Sequence, residues 1–223
     1  ISREVEMNIQ GEALTNTDKL AKTCYNMMKN MYKKEYSEFL NMFFGIHVSQ
    51  IKSLESDYLS ITPEPFFNLS VPIVEKNETL EKCIELYTSV EKMEGDNCVY
   101  NDNVNKKEIA EKTLRFWSLP EVLIITLKRF GNNGRKNQKM IDFPLENLDL
   151  RKYIVGYDKD SYVYDLYGIC NHSGGTSGGH YTAFVKNANG KWYEFNDTNC
   201  NEINLEALKT PKAYCFFYRK QKK

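Results

Sequence analysis

The 223 residues include three histidines, so the search for a general base is short. His47 has no carboxylate near it in sequence and reads as a surface residue of an irregular arm. His172 begins, and His180 ends, the loop Ser173-Gly174-Gly175-Thr176-Ser177-Gly178-Gly179. Such a glycine run costs backbone entropy and suits a chain that must come close to a ligand or move aside. His180 opens a hairpin whose turn is Asn187-Ala188-Asn189-Gly190. If those four residues form the loop, His180 faces Asp197; if Asn189-Gly190 alone is the turn, it faces Asn199. In either register His180 lies within a rung or two of Asn196 and Asp197, at cross-strand Cβ separations of about 5 Å. A histidine held by an amide or a carboxylate is the base-and-orienter half of a catalytic triad. The competing reading is a cross-strand pair with no catalytic task.

A nucleophile is harder to place. Cys24, in Leu20-Ala21-Lys22-Thr23-Cys24-Tyr25-Asn26, falls inside an amphipathic helical pattern and faces the core. It has no free helix N-terminus to lower its pKa. The six cysteines, Cys24, Cys83, Cys98, Cys170, Cys200 and Cys215, contain no CxxC pair and read as reduced thiols of an intracellular protein. Metal hydrolysis fares poorly, because HExxH is missing and the histidines lack ligand spacing. The glycine loop runs into His180 instead of Lys-Ser/Thr, so it is no phosphate loop. No cofactor or metal is expected.

These residues need elements to hold them. Thr15 to Thr17 and Asp18 offer N-cap chemistry for a helix over about 18–44, with Leu20, Tyr25, Met28, Met31, Tyr32, Phe39 and Phe43 at helical intervals and Gly45 as its stop. An arm over 46–65 has the weak alternation of a hairpin. Thr79 caps a helix over 80–90 that turns Leu80, Cys83, Ile84 and Tyr87 inward, and 94–107 is a polar loop with turn chemistry at Gly95-Asp96-Asn97. Strand signals then dominate at 113–117, 123–130, 162–170, 181–186, 192–196 and 214–219, broken by a Gly/Asn/Lys turn over 131–139. The strands are too closely spaced for crossover helices, which predicts an α+β fold with a mainly antiparallel sheet.

Composition narrows the function. Thirty Lys+Arg balance 30 Asp+Glu, and the basic clusters Lys33-Lys34, Lys106-Lys107 and Lys220 to Lys223 are short and scattered, which argues against nucleic acid as a partner. No apolar run approaches the roughly 20 residues of a membrane span. Ile1-Ser2-Arg3-Glu4-Val5-Glu6 is charged where a signal peptide would be apolar. Since Ile1 is no translation start, the chain is expected to be an excised part of a longer one.

Several ordered motifs resemble the ubiquitin-specific proteases, papain-like cysteine proteases that cleave ubiquitin from its conjugates. Leu119-Pro120-Glu121-Val122-Leu123-Ile124-Ile125-Thr126-Leu127-Lys128-Arg129-Phe130 is similar to the family's palm strand. Tyr164-Asp165-Leu166-Tyr167, His172 and Gly178-Gly179-His180-Tyr181-Thr182-Ala183 resemble its histidine box. Trp192-Tyr193-Glu194-Phe195-Asn196-Asp197 and Ala213-Tyr214-Cys215-Phe216-Phe217-Tyr218 resemble its third-residue segment and closing strand, and Phe43-Phe44-Gly45, 64–73 and Gly95-Asp96-Asn97 match as well. The resemblance implies a papain-like fold whose palm sheet carries a β-finger extension over about 46–118. It implies His180 as general base, Asn196 as its orienter and Asp197 as polar support. Arg129, Phe130, His172, Gly178, Gly179 and Tyr181 would line or cover the channel that grips ubiquitin's C-terminal tail, with 173–179 as a mobile blocking loop.

The implied activity is deubiquitination, acting on ubiquitin and ubiquitinated proteins in the cytoplasm or nucleus. Two departures qualify it. Where many relatives hold zinc on two CxxC pairs, this chain has Ser53 and Ser56, then Asn101 and Val104, so no zinc is expected and the fingers must rely on packing or be loose. The family's nucleophile box lies far N-terminal, in a helical thumb. Thr23-Cys24-Tyr25 mimics that box, but Phe43 and Gly45 follow too soon to leave room for a thumb, so Cys24 reads as a decoy. On this reading the chain is palm and fingers, supplies His and Asn/Asp but not Cys, and is inactive alone. The alternative is a catalytically inactive ubiquitin-binding or scaffold module.

Overall fold

A computed structural model describes residues 2–76, 78–131 and 134–222. Ile1, Asn77, Asn132, Asn133 and Lys223 lie outside the described residues, and with them the first residue, part of the 131–139 turn and the end of the last basic cluster. In chain order the elements are α1 (Asn16–Tyr32), α2 (Phe39–Phe43), β1 (Gly45–Ser53), β2 (Leu59–Phe66), β3 (Leu69–Val71), α3 (Leu80–Tyr87), β4 (Glu91–Met93), β5 (Val99–Asn101), β6 (Lys106–Glu108) and β7 (Ala110–Ser118). There follow β8 (Val122–Leu127), β9 (Leu148–Asp149), β10 (Val163–Gly175), β11 (Gly178–Lys186), β12 (Trp192–Asn196), β13 (Asn199–Ile203) and β14 (Ala213–Lys220). The chain divides into two compact units, Ile1–Phe66 with Thr88–Pro120 and Arg151–Asp160, and Phe67–Tyr87 with Glu121–Leu150 and Ser161–Lys223.

In the first unit, Thr15 starts α1 with a capping box: its Oγ accepts the Asp18 N–H at 3.2 Å, while its own N–H donates to Asp18 Oδ2 at 2.8 Å. The helix buries Ala21 and Cys24 against Phe44, Ile46, Val48 and Trp117. Each large apolar side chain so buried contributes about 1.5–3 kcal/mol. The expected single helix over 18–44 is broken. After Tyr32 the chain leaves the helix to pair Tyr36 with Arg3 through two 2.8 Å backbone bonds, and only Phe39–Phe43 becomes helical again. A tertiary pairing here overrides the good helix propensity of Lys33, Lys34 and Glu35. Gly45 begins β1 instead of capping a helix, and the reason is space: a Cβ there would stand 2.5 Å from the Phe66 ring.

The arm expected over 46–65 is the β1–β2 hairpin, and the sheet order is β2-β1-β7-β4. His47 is not an isolated surface residue. It pairs across the strands with Glu64, its Nε2 3.0 Å from the carboxylate, and its ring stacks on Phe66 at 5.7 Å. Sequence distance hid the carboxylate, which the hairpin brings alongside. Within the expected polar loop over 94–107, β5 and β6 form a second small hairpin.

The second unit carries the larger sheet, ordered β13-β12-β11-β10-β14-β8-β3 with β9 on β10. Its pairs are antiparallel except β3 with β8. The near-continuous apolar run of β8 fits a strand covered on both faces. Leu80, Cys83 and Ile84 of α3 are fully buried, and Thr79 caps that helix through a 3.2 Å bond from the Lys82 N–H. Phe143, Tyr164, Phe216 and Tyr218 fill the sheet's covered face, with the Phe143 and Phe216 rings 4.7 Å apart. The expected α+β class with a mainly antiparallel sheet and few helices is what the chain forms.

Candidate active site

The β10–β11 hairpin carries two histidines. Its ladder sets His172 opposite Tyr181, Ser173 opposite His180, Gly174 opposite Gly179 and Gly175 opposite Gly178. The stretch over 173–179, expected as a loop, is therefore the paired end of a hairpin whose turn is Thr176-Ser177. Two glycines are required by close approach. A Cβ on Gly174 would sit 2.5 Å from the Gly178 carbonyl oxygen, and Gly174 also holds φ +114°. A Cβ on Gly179 would fall under 3.0 Å from both His172 Nε2 and the Ser173 carbonyl oxygen. Without it, the His172 imidazole lies directly against the neighbouring backbone.

β11 and β12 pair Lys186 with Trp192 and Ala183 with Phe195. Extended past the end of β12, that register would bring His180 level with position 198, midway between the two expected ones. The turn is five residues long, because Lys191 closes it by accepting the Asn187 N–H at 2.9 Å. The consequence expected of either register is found. His180 Nε2 lies 2.7 Å from Asn196 Oδ1. An amide oxygen only accepts, so Nε2 carries the proton and Nδ1 of the neutral ring keeps a free lone pair. Asp197 is 3.9 Å from the same Nε2, past hydrogen-bond range, and acts on it only through charge. With side-chain exposures of 50% for His180 and 76% for Asp197, that charge is screened by solvent and Asn196 is the stronger orienter. Asp197 stands at φ +52°, a conformation Asp tolerates, in the Asp197-Thr198 turn that joins β12 to β13.

Beside this pair stands an aromatic group around His172. Its ring centroid is 4.6 Å from Tyr181, 5.6 Å from Phe130 and 5.9 Å from Tyr214. Tyr214 did not appear among the sequence candidates; the signal for it was its place at the start of β14, one strand from His172. His172 is buried, and burial first, then the Lys136 ammonium, holds its pKa below the usual imidazole range, so the ring is neutral. Lys136 donates to the His172 carbonyl. Tyr181, by contrast, is 56% exposed.

Arg129 is 1% exposed, and its guanidinium is engaged with backbone. Nε donates to the Ala213 carbonyl at 2.8 Å, and Nη1 to those of Asn137 at 2.9 Å and Lys139 at 2.8 Å. It thus ties the end of β8 to the 131–139 turn and the start of β14. A recess of about 290 Å³ lined by Lys128, Gly131, Lys136 and Asn137 adjoins it.

Cys24 lies in the core of the first unit, 0% exposed, and burial pushes its thiol pKa up to about 12. A sulfur in that state is not a nucleophile at neutral pH. Among the described residues no group of three or more His, Cys, Asp or Glu side chains could hold a metal ion.

Known proteins resemble this chain over most of its length. The family description "Ubiquitin carboxyl-terminal hydrolase" matches residues 8–218. Ubiquitin carboxyl-terminal hydrolase 8 of Arabidopsis thaliana is 35% identical over 188 residues, covering 82% of this chain and 22% of that protein. Human ubiquitin carboxyl-terminal hydrolase 15 is 38% identical over 146 residues, 64% of this chain and 15% of that protein. Among solved structures, a chain of the SAGA Ubp8/Sgf11/Sus1/Sgf73 DUB module bound to ubiquitin aldehyde matches with a TM-score of 0.69 and 29% identity, over 82% of this chain and 42% of that one. The chain thus spans less than half of the relatives it matches. The few helices, the mainly antiparallel sheets and this likeness make the fold papain-like. With the match running through the strands that hold His180 and Asn196, the chain belongs to the ubiquitin carboxyl-terminal hydrolase family, in its ubiquitin-specific protease catalytic domain.

Proposed function

We propose that the protein containing this chain is a cysteine-type deubiquitinase, with residues 1–223 as palm and fingers of one catalytic domain and about 46–118 as the fingers. The nucleophile would come from an N-terminal thumb of the same protein, since Cys24 is sealed in a core. The observation that carries the reading is the 2.7 Å bond from His180 Nε2 to Asn196 Oδ1, inside a chain of this family. It leaves Nδ1 open to take a thiol proton.

The thiolate attacks the carbonyl carbon of ubiquitin's last glycine, and the imidazolium returns its proton to the departing amine as the carbon–nitrogen bond breaks. A thioester remains. His180 then takes a proton from water, whose oxygen attacks the thioester and releases the ubiquitin carboxylate and the thiol. Asn196 holds the ring in one tautomer through both halves. Phe130, His172, Tyr181 and the glycines Gly178 and Gly179 would form a channel too narrow for side chains, which suits a tail ending in two glycines. Arg129 serves that channel from behind by anchoring its turn. The ubiquitin aldehyde bound by the solved neighbour supports ubiquitin as the partner. Six unpaired cysteines fit an intracellular setting, cytoplasmic or nuclear.

The test uses the full-length protein and a ubiquitin C-terminal fluorogenic substrate. His180→Ala should abolish measurable turnover while Cys24→Ala leaves it unchanged. Full activity in His180→Ala, or loss in Cys24→Ala without loss of folding, would overturn the proposal.

A further inference from the structure

A glutamate is buried where two small hairpins of the first unit meet, and charge should not be there without a reason. Glu108, the last residue of β6, is 1% exposed. Two further polar residues beside it are also buried, Ser53 at the end of β1 (3%) and Asn101 at the end of β5 (2%). An ionised carboxylate taken out of water is costly unless donors replace its hydration. Here they do. Ser56 Oγ donates to Glu108 Oε2 at 2.7 Å and Asn101 Nδ2 donates to the same oxygen at 3.1 Å.

The donors are themselves held in place. Asn101 Nδ2 reaches Ser56 Oγ at 3.2 Å, Ser53 Oγ accepts the N–H groups of Glu55 and Ser56 at 3.0 and 3.2 Å, and Asn101 Oδ1 accepts the Asn103 N–H at 3.0 Å. An outer layer adds Glu55, which accepts the Ile109 N–H at 2.7 Å and an ion pair from Lys106 at 3.0 Å. The Lys106 ammonium is also 3.9 Å from Glu108 Oε1. The side chains of Ser56, from the turn after β1, and Asn101, from the end of β5, thus meet on one carboxylate at the end of β6, while Ser53 braces the turn.

Ser53, Ser56, Asn101 and Val104 are the positions where the sequence resemblance would put zinc thiolates. Two hydroxyls, an amide and a hydrocarbon are a poor donor set for zinc, and all the polar ones are engaged in bonds to each other and to Glu108. An ammonium 3.9 Å from the carboxylate further disfavours a cation.

We propose that the finger tips of this protein are fastened without a metal, by an inverted centre in which the Glu108 carboxylate is the shared anion, Ser56 and Asn101 are its fixed donors, and Ser53 holds the turn that carries Ser56. The fingers are then neither loose nor dependent on packing alone. Such a buried, satisfied network also specifies one arrangement of the two hairpins, since any shift strands a charge.

The test is metal analysis and amide hydrogen exchange on this chain, which carries its own core in the first unit, and on the full-length protein. As purified, zinc should be well below one equivalent, and neither a chelator nor added zinc chloride should shift Tm. Glu108→Ala should speed exchange at the Asn103 and Ile109 amides, and at the Tyr58 amide, which donates to Ser56 Oγ at 3.2 Å, by about tenfold to a hundredfold, the consequence of leaving buried donors without an acceptor. Ser56→Ala and the isosteric Glu108→Gln should give smaller increases at the same amides, and they carry the test if Glu108→Ala does not fold. Near-stoichiometric zinc whose removal lowers Tm would overturn the proposal, as would unchanged exchange at those amides in all three variants.

Discussion

Gly179 gives the sharpest single test of how the hairpin is built. Adding one methyl there, Gly179→Ala, places a Cβ under 3.0 Å from His172 Nε2 and from the Ser173 carbonyl oxygen, and 3.1 Å from His172 Cδ2. Ordinary contact needs 3.4 Å or more, so the imidazole or the strand must give way. The ring is hemmed in by Tyr181 at 4.6 Å and Phe130 at 5.6 Å, and the Ser173 carbonyl belongs to a paired strand, so neither moves freely. Overpacking of this kind costs about 1–3 kcal/mol, which for a chain of this size lowers Tm by roughly 2–12 °C.

Gly175, on the same hairpin, is the control. A Cβ there meets nothing within 4 Å, so Gly175→Ala should leave Tm nearly unchanged. The assay is thermal unfolding of both variants by circular dichroism, with the His172 and His180 ring signals followed by NMR. Gly179→Ala should move both rings, because His180 is the next residue and faces Ser173. Equal Tm values for the two variants, or unmoved His172 signals in Gly179→Ala, would refute the argument that this glycine is kept for close approach.

Thiol labelling at neutral pH should modify exposed Cys200 quickly and Cys24 and Cys83 only on unfolding, because burial raises both of those thiols; mass spectrometry of iodoacetamide adducts reads this. Arg129→Ala removes the donor from three carbonyls and opens the core, so it should destabilise by about 3 kcal/mol or more in urea titration, and Arg129→Lys should recover only part of that because an ammonium lacks the planar fork. The Tyr157 hydroxyl bonded to Asp18, then the Thr15 bonds, depress the Asp18 carboxyl to about 2, and the same bond lifts the Tyr157 phenol to about 12. A depressed carboxyl stabilises above its unfolded pKa and is lost as pH falls through about 2; a raised phenol stabilises below its unfolded pKa and is lost as pH rises through about 12. Tyr157→Phe should therefore move the Asp18 titration upward in a carbonyl-carbon NMR experiment, and an unmoved titration would show that the bond is not the cause.

Much of the second unit was legible because β10, β11, β12 and β14 carry dense branched and aromatic residues at strand spacing, and such runs have few other ways to be buried. The helix over 18–44 was not, since nothing local says that Tyr36 will pair with Arg3. Hairpin register resisted for a related reason: Asn187, Asn189 and Gly190 all favour turns, so several loop lengths are locally acceptable. His47 and Glu64 show the same limit, being 17 positions apart in sequence and 3.0 Å apart in space.

Residue types, order and spacing alone named His180 with Asn196 and Asp197, and marked Cys24 as unfit, because period-2 and period-3.6 patterns encode which side of an element a residue occupies. Spacing left the two partners open and the resemblance favoured Asn196; the distances that separate them come from the tertiary structure. The register brings Asn196 Oδ1 to 2.7 Å and leaves Asp197 at 3.9 Å. It also buried Arg129 as an internal tie and gathered Ser56 and Asn101 around Glu108. A hydrogen bond depends on tenths of an ångström set by every contact in the sheet, and no local pattern carries that information.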